Sequence, residues 1–235
     1  CECVLKTDLY DEAVGPGLYD LLAARARLVV GMDVATEVLC AARARHLGLV
    51  AVQADVRRLP FTAGTFDAIV SNSTLDHLPT ASEVAAALVE LARSLKLGGR
   101  LLLTLDNPAN PLIGLRNRLP QRLLMGSGLT PYPMGATLGP RPLAAAVAAA
   151  GLHLVELDTL VHCPRVLAVA LAGRLDARGA TGRGDAFVRF LLAWEWLGRL
   201  PTRLATGHYL AALALKESRE GTRVGWGSEC TGAKS

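Results

Sequence analysis

The chain of 235 residues is 51% hydrophobic, enough to bury one sizeable core. Its mean hydropathy of +0.32 is high, yet charges interrupt the best apolar stretches, PLAAAVAAAGLHLVEL and RVLAVALAGRL, before the ~18 residues a membrane span needs. The formal charge of +4 comes from 25 basic residues, 21 of them Arg, scattered among Ala, Leu and Gly without a basic run, which argues against a nucleic-acid partner.

The five cysteines, Cys1, Cys3, Cys40, Cys163 and Cys230, are odd in number and mostly far apart, and no Cys/His pairing has zinc spacing. Free thiols in a reducing, cytoplasmic compartment and no metal are the expectation. The chain opens on Cys1 with a strand almost at once, so a truncated N-terminus is expected.

Short branched apolar runs recur in chain order: CVLKT, RLVVGMD, LVAVQAD, FDAIVSN and GRLLLTLD. Between them lie the helix-like GLYDLLAARA, ATEVLCAARARHL and ASEVAAALVELARSLK. Such alternation predicts an α/β protein, doubly wound around a mostly parallel sheet with helices on both faces and ligands at the carboxyl ends of its strands. Residues 108–141 break the rhythm with a Pro-rich insertion, expected to act as a lid or substrate wall and to hold a helix at LIGLRNRLPQRLLM. A helix at PLAAAVAAAGL, a strand at LHLVELDTLV, helices near 165–175 and 185–200 and a last strand at GHYLAALALK follow. A single domain over 1–220 is expected, with 221–235 as a disordered tail.

The strand ends carry the chemistry. Asp33 closes the second strand, 18 residues after Gly15, where a carboxylate grips a ribose diol or else caps the following helix. Asp55 ends the third strand and is either an acceptor for an adenine amine, with Val56 and Leu59-Pro60-Phe61 as an apolar wall, or an exposed loop acid. After the fourth strand come Asp76 and His77; His77, backed by Asp76, is a candidate general base or a packed residue at a helix start. Asp106, Asn107 and Asn110, in DNPANP at the fifth strand end, are placed for substrate contacts.

The set VVGMD, ADVRRLPFTAGTFDAIVSNSTLDHLP and LVELARSLKLGGRLLLTL, in this order and spacing, resembles the class I S-adenosylmethionine-dependent methyltransferases, in particular their type 11 domain group. The resemblance is strong over residues 27–106. It implies a Rossmann-like sheet of seven strands whose last strand runs antiparallel beside the fifth. By position it also implies S-adenosylmethionine as cofactor, with Asp33 at the ribose, Asp55 and Val56 at adenine, Ser71 and Asn72 near the methionine portion, and Met32 among the cofactor-binding residues. Gly15-Pro16-Gly17 would be the tip of the glycine-rich loop.

The opening segment, VLKTDLYDEAVGPG, matches that family least. Lys6 stands where an acid is expected, and about five extra residues precede Gly15. Extending the first strand through LKTDL places Asp8 near its end, facing the ligand's ammonium. Gly15 and Gly17 then allow close backbone approach, and a helix from about Gly17 points free N–H groups at the ligand's carboxylate. A cofactor loop built this way, a decayed one and an ordinary turn remain open at this point. The reading that follows is methyl transfer to a small-molecule acceptor by in-line displacement. Its rivals are an inactive methyltransferase-like binding or assembly subunit and a nicotinamide-dependent oxidoreductase.

Overall fold

The computed structural model describes residues 2–120, 122, 135–164, 168 and 184–217. The expected helix at 165–175 and the tail at 221–235 lie essentially outside them, and the 108–141 insertion is described mainly at its two ends.

Seven strands form one sheet in the order β3-β2-β1-β4-β5-β7-β6. They are β1 (Cys3–Thr7), β2 (Leu28–Asp33), β3 (Val50–Gln53), β4 (Phe66–Asn72), β5 (Leu95–Asp106), β6 (His153–Leu160) and β7 (Tyr209–Leu215). β1 pairs in parallel with both β2 and β4, and β7 runs antiparallel to both β5 and β6. The mixed, Rossmann-like sheet with an antiparallel last strand is therefore the one the sequence implied. The chain leaves β3 at one edge and returns as β4 on the far side of β1, so the order reverses between β1 and β4. A crevice at the strands' carboxyl ends opens at such a switch point.

Register brings the chemistry-bearing strand ends level. Thr7 pairs with Met32 on one side and Ser71 on the other, Asp33 with Gln53, and Asn72 with Thr104.

The helices are α1 (Tyr10–Val14), α2 (Tyr19–Ala23), α3 (Thr36–Arg45), α4 (Ala81–Ser94), α5 (Pro111–Arg118), α6 (Pro140–Ala149), α7 (Gly184–Ala193) and α8 (Arg203–Thr206). Short 3-10 turns at Leu75–His77 and Trp194–Arg199 complete the described elements. α4 shows why helices form where they do. Thr80 and Glu83 make a reciprocal capping box at its start, and Val84, Ala87, Leu88 and Leu91 recur on one buried face. That face joins Leu5, Met32, Ile69, Leu101 and Leu103 of the sheet and Leu143 and Val147 of α6 in the main core. On the opposite side a smaller cluster forms from Leu9, Val29, Leu39, Ala42 and Leu49, with Tyr19 and Leu22 packed against it.

Two elements differ from the sequence reading. α4 stops at Ser94 and Leu95 already belongs to β5, pairing with Phe66 ahead of a register shift. Tyr10–Val14, read as loop, is helical, because Leu9 at its start is fully buried in the smaller cluster and Ala13 packs against it.

Leu88→Ala should lower unfolding free energy by about 2–5 kcal/mol, the range for emptying a fully buried leucine site. Urea unfolding followed by circular dichroism checks it, and an effect below about 1 kcal/mol would contradict this packing.

Candidate active site

The loop after β1 is built around a buried charge pair. Lys6, 2% exposed, donates to the Asp8 carbonyl at 2.5 Å and lies 2.7 Å from Glu12 Oε2. Glu12 is fully buried in α1, and its Oε1 accepts the Leu18 N–H at 2.7 Å. Gly17, at φ 55°, abuts the same carboxylate; a Cβ there would collide with it. Asp8 has φ 64°, a left-handed conformation that Asp tolerates, and its carboxylate accepts the Tyr10 N–H at 2.8 Å.

These contacts correct three expectations. β1 ends at Thr7, so Asp8 lies just past the strand rather than on it. Gly15 terminates α1, its N–H donating to the Asp11 carbonyl, so it ends a helix rather than opening the tip of a loop. α2 starts only at Tyr19, and the Leu18 N–H expected to face a ligand is taken by Glu12.

Beside this loop, Asp33 projects from the tip of β2. Its Oδ2 accepts the Leu9 N–H at 3.0 Å and its Oδ1 the Ala35 N–H at 2.9 Å. The carboxylate thus holds the turn that leads into α3 without capping the helix itself, and one donor per oxygen leaves each with a second lone pair. Asp33 is close enough to act on the Asp8 carboxyl. Burial pushes the Asp8 carboxyl up and the Asp33 charge adds to this, while the Tyr10 N–H, Lys6 and His77 oppose it.

The expected purine side is less ready. Arg57 donates its backbone N–H and Nε to Asp55 Oδ1, and Nε and Nη2 to Oδ2, which fills the carboxylate's acceptor positions and lowers its pKa. Arg57 also pairs with Glu83. The Val56, Leu59 and Met32 side chains are buried in the main core. Met32 therefore supports the floor of the strand ends, and the apolar wall expected from Val56 and Leu59 faces inward.

At the tip of β4 the hydroxyls form a chain. Thr7 Oγ1 donates to Ser71 Oγ at 3.0 Å and shares a 2.6 Å hydrogen bond with Thr74. Asn72 Oδ1 accepts from Thr104 Oγ1 at 2.7 Å. The 3-10 turn then presents Asp76 and His77. Asp76 is largely buried with Oδ1 unpartnered among the described residues, and burial followed by the Asp106 charge raises its pKa to about 6. His77 is exposed, and its charge is felt by both Asp8 and Asp76. Asp106 is held by Arg116 of α5 at 2.5 Å, with His208 Nε2 at 3.7 Å on its other oxygen.

Asn107 and Asn110, expected at the substrate, belong to the scaffold instead. Asn107 donates to the carbonyls of Leu204 and Gly207 and accepts from Ala109, while Asn110 donates to Thr206 and Gly207 and caps α5 through Leu112. Their amides tie the β5 exit to the turn before β7. The far end of the insertion is docked by backbone: Gly135 N–H donates to Asp76 O at 3.0 Å and Ala136 N–H to Leu78 O at 2.7 Å. A Cβ on Gly135 would strike both carbonyls.

Sequence reasoning missed Thr7, Thr74, Thr104, Arg57 and the Lys6–Glu12 pair. The alternation of β1 offered a signal for one of them, since a lysine inside a central strand must find a buried counter-charge. No group of three His, Cys, Asp or Glu residues among those described is arranged to hold a metal, and no described helix is long and apolar enough to cross a membrane.

A doubly wound sheet of this strand order, with Asp8 just past its first strand and Asp33 and Asp106 closing its second and fifth, carries its acids at the carboxyl ends where such folds bind ligands. A methyltransferase-domain profile matches residues 11–103. A protein of Encephalitozoon cuniculi named as a methyltransferase is 40% identical over 75 residues, which span 32% of this chain and 35% of that protein. Among solved structures, a Bacillus halodurans protein described as a methyltransferase superposes with a TM-score of 0.60 at 20% identity, covering 92% of this chain and 93% of that one. Phosphoethanolamine N-methyltransferase 2 of Haemonchus contortus, in complex with S-adenosyl-L-methionine, gives 0.61 at 15% identity, covering 92% and 49%. Residues 11–103 thus match a methyltransferase domain, and the whole described sheet shares the Rossmann-like fold of these methyltransferase structures.

The Asp76 carboxyl, held near 6 against an ordinary value of 3.8, binds its proton more tightly folded than unfolded. Its contribution to stability is therefore full below about pH 4 and is lost as pH rises toward about 6. Asp76→Asn should be more stable than the wild type above about pH 6, and that advantage should vanish below about pH 4. Urea midpoints across this range measure it; equal midpoints at high pH would refute the burial of a charge here.

Proposed function

We propose that the chain transfers the methyl group of S-adenosylmethionine to a small-molecule acceptor by in-line displacement. The observation that carries the reading is Asp33. It stands at the tip of β2, level with the exit of β1, oriented by two backbone N–H groups and with one acceptor position left on each oxygen. That donor set suits the two hydroxyls of a ribose.

The remaining residues fit the same ligand. Asp8 offers a carboxylate to an ammonium group, and the positive charge of nearby Lys6 is neutralised by Glu12, so it does not oppose that contact. Ser71, level with Thr7, and Asn72, level with Thr104, flank the methionine portion. An adenine amine reaches Asp55 by replacing Arg57, an exchange between exposed groups that costs little. The bound donor supplies a methyl already made electrophilic by its sulfonium, which leaves orientation and proton removal to the protein.

Asp76 and His77 share the turn that borders the acceptor side. Asp76, mostly buried and with a pKa of about 6, is ionised above neutrality and able to take a proton from an acceptor hydroxyl or amine. His77, at the surface of the same turn, then passes it to solvent. Asp106, fixed by Arg116, borders the acceptor from β5.

Titration calorimetry with S-adenosylmethionine tests the reading. Binding is expected in the wild type and should weaken about a hundredfold, about 2.7 kcal/mol, in Asp33→Ala. The absence of binding heat in the wild type, or an unchanged affinity in a folded Asp33→Ala, would overturn it.

A further inference from the structure

The strand order sets where each part of the donor lies. Neighbouring strands are about 4.8 Å apart, so the tips of β3, β2, β1 and β4 span about 14 Å, the reach of an extended nucleoside with an amino-acid arm. With the ribose at Asp33 on β2, the amino-acid arm falls over β1 and β4. The group there is Asp8, whose carboxyl feels Asp33 from one side and His77 from the other.

Asp8 owes its placement to Lys6 and Glu12. Lys6 Nζ holds the Asp8 carbonyl at 2.5 Å, which fixes the left-handed turn at φ 64° and so the direction of the carboxylate. Glu12 holds Lys6 from α1 and also ties down the Leu18 N–H, six residues further along. One buried pair thus pins the loop at its start, its middle and its end. Gly17 closes the arrangement, since any side chain there would drive into the Glu12 carboxylate.

We propose that the Lys6–Glu12 ion pair is a positioning device for the amino-acid arm of the methyl donor, shaping the 8–18 loop so that Asp8 meets the donor's ammonium, while the adenosine half is bound by Asp33, which touches that loop through the Leu9 N–H and is also held by the Ala35 N–H. The inference rests on the methyl-donor reading. It gives a buried lysine in the central strand a role apart from fold stability, and it divides the donor site into two separable halves.

Two ligands distinguish those halves: S-adenosylmethionine carries the amino-acid arm, and methylthioadenosine lacks it. The variants are Glu12→Gln, Gly17→Ala and the paired Lys6→Met/Glu12→Gln. The paired change removes both charges together, because a single change leaves one buried charge alone and can unfold the protein. In the folded paired variant, calorimetry should show S-adenosylmethionine weakened by about tenfold or more with methylthioadenosine within about twofold of wild type. Gly17→Ala should reproduce that split by displacing Glu12.

Unchanged affinity for S-adenosylmethionine in the paired variant would overturn the proposal and reduce the pair to a packing element. Equal weakening of both ligands would also overturn it, because the loop would then serve the whole site. A wild type that binds methylthioadenosine but not S-adenosylmethionine would overturn this positioning while leaving the adenosine site standing. A wild type that binds neither would overturn the methyl-donor reading and this inference with it.

Discussion

The parallel pairing of β1 with β2 on one side and β4 on the other is the constraint from which the site follows. It sets Thr7, Met32 and Ser71 level, so the next residues of three strands emerge at one height. Because β4 arrives from the far side of the sheet, the connecting segments diverge to opposite faces and leave the crevice that the strand tips border. The loop after β1 fills the middle of this row. It turns there with a buried Lys6–Glu12 pair inside it, an arrangement in which each charge needs the other, since either alone would be buried without compensation.

The two ends of the crevice have opposite electrostatic designs. Near β1, the positive and negative groups are sealed together below the surface and leave Asp8 and Asp33 as the facing acids. Near β4 and β5, Asp106 is paired with Arg116 while the adjoining Asp76 keeps an unpartnered oxygen and a raised pKa. The first arrangement suits binding of a cationic group at fixed geometry. The second suits a group that must change protonation, because a carboxyl near 6 exchanges its proton close to neutrality.

Much of the fold was legible in the sequence because continuous apolar strands and one-faced helices such as α4 write their period directly into residue order. Strand-end positions were legible for the same reason: Asp33 closes β2 and Asp106 closes β5. What residue order could not convey was the direction of side chains. Met32 and Val56 sit at the right height yet point into the core, and Asn107 and Asn110 spend their amides on carbonyls nearly a hundred residues away in sequence. The loop after β1 misled differently. Its charges and its Gly-Pro-Gly suggested an open turn, whereas Leu9 and Ala13 fold Tyr10–Val14 onto the smaller core and draw Glu12 inside.

The insertion between β5 and α6 is stitched at both described ends to the strand-end acids: Arg116 grips Asp106, and the Gly135 N–H binds the carbonyl of Asp76. The second stitch is made from main chain to main chain and depends on side chains only through the glycine. The turn that bears Asp76 and His77 therefore keeps this mooring as long as residue 135 carries no side chain. A glycine can thus act as a fastener, letting two stretches of chain meet backbone to backbone where any larger residue would hold them apart.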